Sequence, residues 1–367
     1  MARQTKLIIF KIILGFSALC LPGVLVFGVL YKAPFAARVL ATACPVLLAV
    51  GLSGTSLKGF RFTICIVAAV TAAMCFPERF LSIGNVNLRD RRLIMVIVQL
   101  VMFGMGTQMS VKDFLGVARM PKAVIIGIAC QFTIMPLVGF TLAKILGFEP
   151  EIGAGIILIG SCSSGLASNV MVYMAHANLA LSVTLTAVAQ LLAPLLTPMW
   201  MKLLAGEMVE VQFFGMMKNI ILMVLLPIIV ALIYNAIRKD RLQRLHRLMP
   251  ILSMTGIIYF TAVTTAAGRD HLLQIGALLF VAAILHNSIG YLLGYWATRL
   301  CGLDKDSCRT IAIEVGLQNG GMASGLAGAM GKLATVGLAP AIFSPWMNVS
   351  GSILANYWRK HAQKEKE

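Results

Sequence analysis

Charged residues are scarce in this sequence and make up only 12% of its 367 residues. A soluble domain of ordinary composition carries about 25% charged residues. Hydrophobic residues account for 59% of the chain, and its mean hydropathy is +0.88. The shortage of charge excludes an ordinary soluble globular protein and predicts a polytopic membrane protein in a lipid bilayer.

Acidic residues are scarcer still. The chain has 14 of them against 31 lysines and arginines, which gives a formal net charge of +17. Nucleic-acid-binding proteins are also basic, but they place their basic residues along one face or within a recognisable motif. Here the basic residues form short clusters between apolar runs, as residues that fix membrane topology do. We therefore predict no nucleic-acid partner and no obligate protein partner.

Cysteine patterns that support chemistry are also missing. The eight cysteines lie mostly inside apolar stretches, and the close pair Cys301 and Cys308 lacks the spacing of a zinc site or a redox motif. The N-terminal apolar run continues to about Tyr31, which is too long for the core of a signal peptide, and it shows no small-x-small cleavage site. We predict a retained first helix and no disulfide or structural metal site.

Apolar runs between charged or Pro/Gly breaks give twelve candidate spans, because a helix needs about 20 residues to cross the hydrocarbon core. The spans are approximately 7–31, 37–54, 60–76, 92–109, 123–146, 152–174, 179–203, 212–237, 249–267, 273–298, 308–331 and 338–358. With a cytoplasmic N-terminus, basic clusters near 112–122, 238–247 and 299–309 and the basic tail fall on one side, whereas the loop with Arg89, Arg91 and Arg92 falls on the other. This distribution predicts the inner (cytoplasmic) membrane with both termini cytoplasmic.

Two of these spans are interrupted by small and polar residues, near 160–169 and near 314–321. They lie five spans apart, so the two broken helices run in opposite directions through the membrane, as inverted repeats require. We predict an all-α fold with two inverted five-helix repeats, at 59–205 and 206–367, the second of which ends in the basic tail. Residues 1–58 would form two extra N-terminal helices.

Glu314 is the only acidic residue inside a long apolar segment. A carboxylate at bilayer depth costs at least a few kcal/mol unless a partner offsets it, so it marks a candidate functional site. Gly316, Gln318 and Asn319 follow it. Glycines and amides in mid-span let a helix unwind and turn its carbonyl and side-chain oxygens toward a cation. We therefore predict a cation site at Glu314.

Several separated segments occur in an order that is typical of one transporter family. They are ASNVMVYMA at 167–175, NLALSVTLT at 178–186, PLLTP at 194–198, EVGLQN at 314–319 and WMNVSGS at 346–352. MFGMG at 102–106 and QFTIMP at 131–136 extend the match. From about Met95 to Trp358 the chain resembles the bile acid:sodium symporter (BASS) family, bacterial branch.

This resemblance implies a core domain, in which two discontinuous helices cross near the midplane, and a panel domain that moves relative to it. It also implies two sodium ions as coupling ions. The first would be held by Ser168, Asn169, Ser182, Thr186 and Glu314; the second by Gln131, Glu314 and Gln318, with the carbonyls of Val315 and Leu317. The chemistry agrees, because sodium is a hard cation that prefers oxygen ligands.

The resemblance implies sodium-coupled symport of an organic anion, bile acid-like or a small carboxylate such as pantoate, by alternating access. Asn319 and Asn348 are the predicted substrate contacts, because amides can donate to a carboxylate and half-helix N-termini favour negative charge. Where bacterial relatives often have a Pro-Gly-Gly-Thr turn, this chain has Ser-Ser-Gly-Leu, ending at Leu166. Leu166 then faces the expected substrate cavity, and the identity of the substrate does not transfer.

Other functions stay open at the level of sequence. Proton coupling through Glu314 would make uptake depend on pH rather than on sodium, and a sensor would use the sodium sites without transport. An enzyme would need Ser163 or Ser164 as a nucleophile beside a base, but no nucleophile-elbow motif surrounds them, so we predict no enzyme.

Structural roles are also open for the polar residues named above. Ser168 and Asn169 would then pack between helices, and Ser182 and Thr186 would bond to their own helix. Gln131 would satisfy a kink near Pro136. His286 and Asn287 suggest a proton relay, although binding to neighbouring backbone is the simpler interpretation of this pair.

Overall fold

The computed structural model describes residues 35–52, 61–237 and 242–364. The first predicted span, 7–31, lies outside these residues. Contacts divide the described residues into two compact units, one formed by those up to Asp90 together with 257–276, and the other by those from 91 to 256 and from 277 onward. The predicted boundaries after residues 58 and 205 separate internal repeats, whereas these units are defined by contacts. The division of the chain into repeats therefore stays a prediction.

The first unit contains three N-terminal helices and a short hairpin, together with parts of two later helices. The three helices are α1 (Phe35–Leu52), α2 (Arg61–Cys75) and α3 (Pro77–Leu81). In the hairpin, β1 (Ser82–Ile83) pairs antiparallel with β2 (Val86–Asn87), and Gly84 at its turn has φ +57. Glycine adopts this conformation without a Cβ clash. Within the described residues, this hairpin is the only sheet in an otherwise helical chain.

The second unit contains the remaining helices. In chain order they are α4 (Arg91–Gly106), α5 (Gly116–Arg119), α6 (Pro121–Ile145), α7 (Pro150–Ser161), α8 (Leu166–Met174), α9 (Leu179–Ala205), α10 (Phe213–Ile220), α11 (Leu226–Ile237), α12 (Leu242–Ala267), α13 (Arg269–Leu300), α14 (Lys305–Gly316), α15 (Gly320–Ala329) and α16 (Leu338–Lys364). A 3-10 turn (Val111–Leu115) precedes α5, and a π-helical turn (Ile221–Leu225) joins α10 to α11. Helices α12 and α13 supply residues to both units.

Long apolar helices confirm an all-α polytopic membrane protein. Among the described residues, four helical segments are long and apolar enough to cross a membrane, namely α6, α9, the continuous segment 213–237, and α13. The segment from α4 to α5 is a fifth if its 68° bend is counted within one span. The other predicted spans that the structure describes coincide with helices that are shorter, interrupted or less apolar.

Both predicted interruptions are present, and each is shorter than the sequence range suggested. The first separates α7 from α8 at residues 162–165, and the second separates α14 from α15 at residues 317–319. In each case a long helix, a broken helix and another long helix follow one another: α6, α7/α8, α9 and α13, α14/α15, α16. This order is compatible with the predicted inverted repeats, whose symmetry stays a prediction.

Local chemistry explains where the broken helices stop and restart. Cys162, Gly165 and Leu317 have extended backbone conformations, which end the helical hydrogen bonding. The Asn319 side chain then accepts a hydrogen bond from the Met322 amide at 3.0 Å and caps α15. Asn178 caps α9 in the same way, through the Leu181 amide at 3.1 Å. Side-chain amides are among the best N-caps because they satisfy a free backbone N–H.

Candidate cation site at the helix crossing

The two breaks meet each other in the second unit. The backbone of Ser164 forms an antiparallel bridge with that of Gln318, and the backbone N–H of Asn319 donates to the Ser163 carbonyl at 2.8 Å. All four residues are buried. The two extended segments therefore satisfy each other's backbone groups, which a helix break inside a membrane requires.

Glu314 lies in the last turn of α14, directly before the break, and is only 2% exposed. One carboxylate oxygen, Oε2, accepts hydrogen bonds from Ser164 Oγ at 2.6 Å and from Thr186 Oγ1 at 3.1 Å. The other, Oε1, accepts from Ser182 Oγ at 2.5 Å. The Oδ1 atom of Asn169 lies 2.7 Å from that same hydroxyl. The crossing thus gathers oxygens from α8, α9, α14 and the first break around one carboxylate.

This oxygen cluster has more hydrogen-bond acceptors than hydroxyl protons, and the charge of its carboxylate is not balanced by a basic side chain among the described residues. The single hydroxyl proton of Ser182 faces two acceptors, on Glu314 and Asn169. Among the described residues, no basic side chain forms an ion pair with Glu314. A buried carboxylate without a partner is costly, so the cluster fits either a bound cation or a proton.

The donor set favours a hard monovalent or divalent ion over a transition metal. Hydroxyl, amide and carboxylate oxygens surround the site, and these are the ligands that hard cations prefer. In the part of the chain that the structure describes, no group of three or more His, Cys, Asp or Glu residues could hold a metal ion. One carboxylate among neutral hydroxyl and amide oxygens is a donor set that fits a hard cation such as sodium.

The five residues predicted for the first sodium site come together here: Ser168, Asn169, Ser182, Thr186 and Glu314. Ser168 is buried in the same turn of α8 as Asn169. Its side chain neighbours the Glu314 carboxylate, and its hydroxyl donates to the Gly165 carbonyl at 2.6 Å.

The alternative that Ser182 and Thr186 serve only their own helix is wrong, because both hydroxyls reach Glu314. The hydroxyl of Thr184, which lies between them in the sequence, is 2.9 Å from both the Ala180 carbonyl of its own helix and the Asp113 carbonyl.

The side chains predicted for the second sodium site form a chain of amides beside the first. Gln131 Nε2 donates to Gln318 Oε1 at 2.9 Å and to the Cys162 carbonyl at 3.3 Å, and Gln318 Nε2 donates to the Val315 carbonyl at 2.5 Å. Because carbonyls only accept, these bonds fix which end of each amide is nitrogen. The buried Oε1 of Gln131 has no partner, and such an oxygen can bind a cation. Leu317 lies in the break itself.

The three predicted substrate contacts, Asn319, Asn348 and Leu166, share no hydrogen bond with one another in the part of the chain that the structure describes. The Nδ2 atom of Asn319 lies 3.9 Å from Met102 Sδ and 4.0 Å from Met105 Sδ, a weak environment for a donor. Asn348 Nδ2 donates to the Ser344 carbonyl within α16 at 2.9 Å. Leu166 is half-buried at the first position of α8. Their role in binding a substrate stays a prediction.

Sequence reasoning missed two residues of this cluster, Ser164 as a partner of Glu314 and Gln190. Gln190 is 1% exposed, its Nε2 donates to the Ser164 carbonyl at 3.0 Å, and its Oε1 has no partner. It follows Thr186 by four residues, as Thr186 follows Ser182, so helical spacing was the signal that could have found it. No local signal identifies Ser164, because only the crossing brings it to Glu314.

His286 and Asn287 contact the backbone of neighbouring helices, in agreement with the simpler of the two predictions for this pair. His286 Nε2 lies 3.1 Å from the Met135 carbonyl, and Asn287 Nδ2 donates to the Gly316 carbonyl at 2.7 Å. The other ring nitrogen of His286 is buried without a partner. A relay from His286 therefore has no second group to receive the proton among the described residues.

Ser164→Ala is expected to lower the free energy of unfolding by about 1.5–3 kcal/mol, because it removes a hydrogen bond to a charged group. Ser161→Ala is the matched control, since that hydroxyl donates only to the Ile157 carbonyl of its own helix. Thermal unfolding of both purified variants in KCl checks this. An equal or larger loss at Ser161 would contradict the assigned role of Ser164.

Known membrane transporters are similar to this chain over most of its length. Residues 95–275 match the family model described as the sodium bile acid symporter family. The chain is 40% identical over 308 residues to the uncharacterized sodium-dependent transporter YocS of Bacillus subtilis. The aligned residues cover 84% of this chain and 93% of that protein.

Two further relatives are more distant. Identity is 32% over 268 residues to the probable sodium/metabolite cotransporter BASS1 of Arabidopsis thaliana, covering 73% of this chain and 67% of that protein. It is 29% over 233 residues to the ileal sodium/bile acid cotransporter of Oryctolagus cuniculus, covering 62% and 66%. All of these relatives are named as transporters or cotransporters, and none as an enzyme.

Proposed function

Because this chain belongs to the sodium bile acid symporter family, we propose that it couples the inward movement of an organic anion to sodium by alternating access. The observation that supports this most directly is the buried Glu314 carboxylate, which is surrounded by oxygens and lacks a basic partner among the described residues. A bound sodium ion supplies the missing positive charge. Glu314 and its neighbours orient their oxygens toward that charge.

The proposal includes two sodium sites that share Glu314. The first uses Ser168, Asn169, Ser182, Thr186 and Glu314, and the second uses Gln131, Glu314 and Gln318 with the carbonyls of Val315 and Leu317. The unpartnered Oε1 of Gln131 supports the second site. Because one carboxylate serves both, each site would depend on occupancy of the other, and both would order the two breaks.

An anionic substrate suits the same region. Helices α8 and α15 both begin at the crossing, so their positive N-terminal ends meet there. Asn319 and Asn348 would donate hydrogen bonds to the anion, beside Leu166. The names of the relatives, one for bile acid and one for a metabolite, support an organic substrate. We further propose the inner membrane with cytoplasmic termini, from the clustering of basic residues on one predicted side.

Proton coupling is the second candidate, and the contacts of Ser182 favour it specifically. Its hydroxyl lies 2.5 Å from Glu314 and 2.7 Å from Asn169, an arrangement that a proton on Glu314 would also satisfy. This candidate predicts stabilisation and uptake that depend on pH and are indifferent to sodium.

Thermal unfolding of the wild-type protein in NaCl against KCl, at fixed ionic strength, tests the function without a known substrate. A ligand that binds only the folded state stabilises it by about 2.7 kcal/mol at a hundredfold excess over Kd, so we expect a sodium-specific rise in Tm. Equal curves in the two salts, with a shift on changing pH, would favour proton coupling instead. Uptake by proteoliposomes under a sodium gradient then tests candidate anions.

A further inference from the structure

Two residues of α13 hold the glycine at the end of α14 from two sides. Asn287 donates to the Gly316 carbonyl at 2.7 Å, and the ring of Tyr291, one helical turn later, packs against the Gly316 Cα. Gly316 is the last residue of α14, and it lies between Val315 and Leu317. Neither Asn287 nor Tyr291 belongs to the sodium or substrate sites proposed above.

Asn287 is fixed in place by hydrogen bonds at both ends of its amide. It is 1% exposed, its nitrogen donates to Gly316, and its oxygen accepts from the Ser350 hydroxyl of α16. The orientation of the amide follows from these partners, because the Gly316 carbonyl can only accept. A buried amide with both ends engaged costs little to bury and cannot rotate without breaking two bonds.

Tyr291 leaves no room for a side chain at residue 316. A Cβ added to Gly316 would lie 2.2 Å from Cε1 and 2.3 Å from Cδ1 of the Tyr291 ring. The Tyr291 hydroxyl lies 3.2 Å from Ser350 Oγ. Asn287, Tyr291 and Ser350 thus form one connected group around Gly316.

A glycine at a helix end needs such a hold, because it has the widest backbone freedom of any residue. Rotation at Gly316 would turn the carbonyls of Val315 and Leu317 relative to each other. We infer that Asn287 and Tyr291 are positioning residues that fix these two carbonyls for the second sodium site. This inference rests on the proposed function.

The same group connects that site to α16. Ser350 lies two residues after Asn348, the predicted substrate contact, on a helix that also contacts Gly316 through Asn287. A shift of α16 on substrate binding would therefore change the hold on Gly316. The geometry points to Ser350 as the contact through which α16 and the second sodium site influence each other.

The test compares sodium titrations of Tm for wild type and Asn287→Ala. Loss of a residue that orients metal ligands typically weakens metal affinity by about 10- to 100-fold, so we expect a rise of that order in the half-saturating sodium concentration. The Hill coefficient should fall because one of two linked sites is weakened.

Asn356→Ala is the matched control, because its amide donates only within α16, to the Ser352 carbonyl. A merely structural role for Asn287 would lower Tm equally in NaCl and KCl and leave the half-saturating concentration unchanged, which overturns the inference alone. A wild type without any sodium-specific shift overturns the proposed function as well.

If Asn287→Ala does not fold, Ser350→Ala decides the question. We expect a smaller rise in half-saturating sodium there than Asn287 variants would give, and no rise in Ser352→Ala, whose hydroxyl donates to the Asn348 carbonyl of its own helix. Equal half-saturating concentrations in Ser350→Ala and Ser352→Ala overturn the inference.

Discussion

Glu314→Gln is expected to abolish the sodium-specific rise in Tm and sodium-driven uptake. The substitution keeps the size of the side chain but removes the only charge at the crossing, where Ser164, Ser182 and Thr186 now donate to a carboxylate. A site occupied at a hundredfold excess over Kd would lose about 2.7 kcal/mol of sodium-dependent stabilisation. Because both proposed sites share Glu314, neither should survive.

In KCl, Glu314→Gln is not expected to lower Tm. A neutral amide costs less to bury than a carboxylate without an opposite charge beside it, so Tm in KCl should stay equal or rise. A general folding defect predicts a fall in both salts, which makes the two explanations separable within one experiment.

Glu151→Gln is the matched control for Glu314→Gln. Glu151 lies in the first turn of α7 and pairs with Lys332 and Thr335, away from the contacts of the crossing. Its loss should leave the sodium response intact. The role proposed for Glu314 is wrong if Glu314→Gln keeps a wild-type sodium titration, or if Glu151→Gln loses it equally.

Gly160→Ala is expected to destabilise the protein strongly, although alanine is the better helix former. A Cβ at this position would lie 2.5 Å from the Met135 carbonyl oxygen and 3.0 Å from His286 Nε2. The first contact is backbone, so α6 and α7 must move apart. Overpacking of this kind typically costs about 1–3 kcal/mol, and here it acts two residues before the first break.

Gly276→Ala provides the comparison for this prediction. Gly276 also lies inside a helix, but an added Cβ would meet nothing closer than 4.0 Å. The change should be neutral or stabilise by up to about 1 kcal/mol, through helix propensity alone. Thermal unfolding in KCl of the two variants measures the difference. Similar Tm values for both would show that α6 and α7 are not as closely packed at Gly160 as the structure describes.

The positions of helices and breaks follow from local features of the sequence. Apolar runs, the glycines and serines near 160–169, and the amides after Glu314 predicted where helices lie and where two of them break. Each of these signals depends on residues close together in the chain, because helix length and helix interruption are local properties. The lone buried acid likewise identified Glu314 before any contact was known, since its cost depends mainly on depth.

The partners of these residues were decided by the tertiary structure. Ser164 meets Glu314 across 150 residues, and Asn287 meets Gly316 from a different helix. Gln190 was missed: helical spacing could have placed it on the face of Ser182 and Thr186, but no spacing shows that the Ser164 carbonyl is its acceptor.

The sequence by itself determined the membrane class, the helical segments within the described residues, the two breaks and the acid directly before the second break. Only the packing of the two breaks against each other and against α9 and α13 selected which hydroxyls and amides surround that acid. The physical reason is that hydrogen-bond partners depend on how helices cross, and a crossing is a property of distant segments rather than of neighbouring residues.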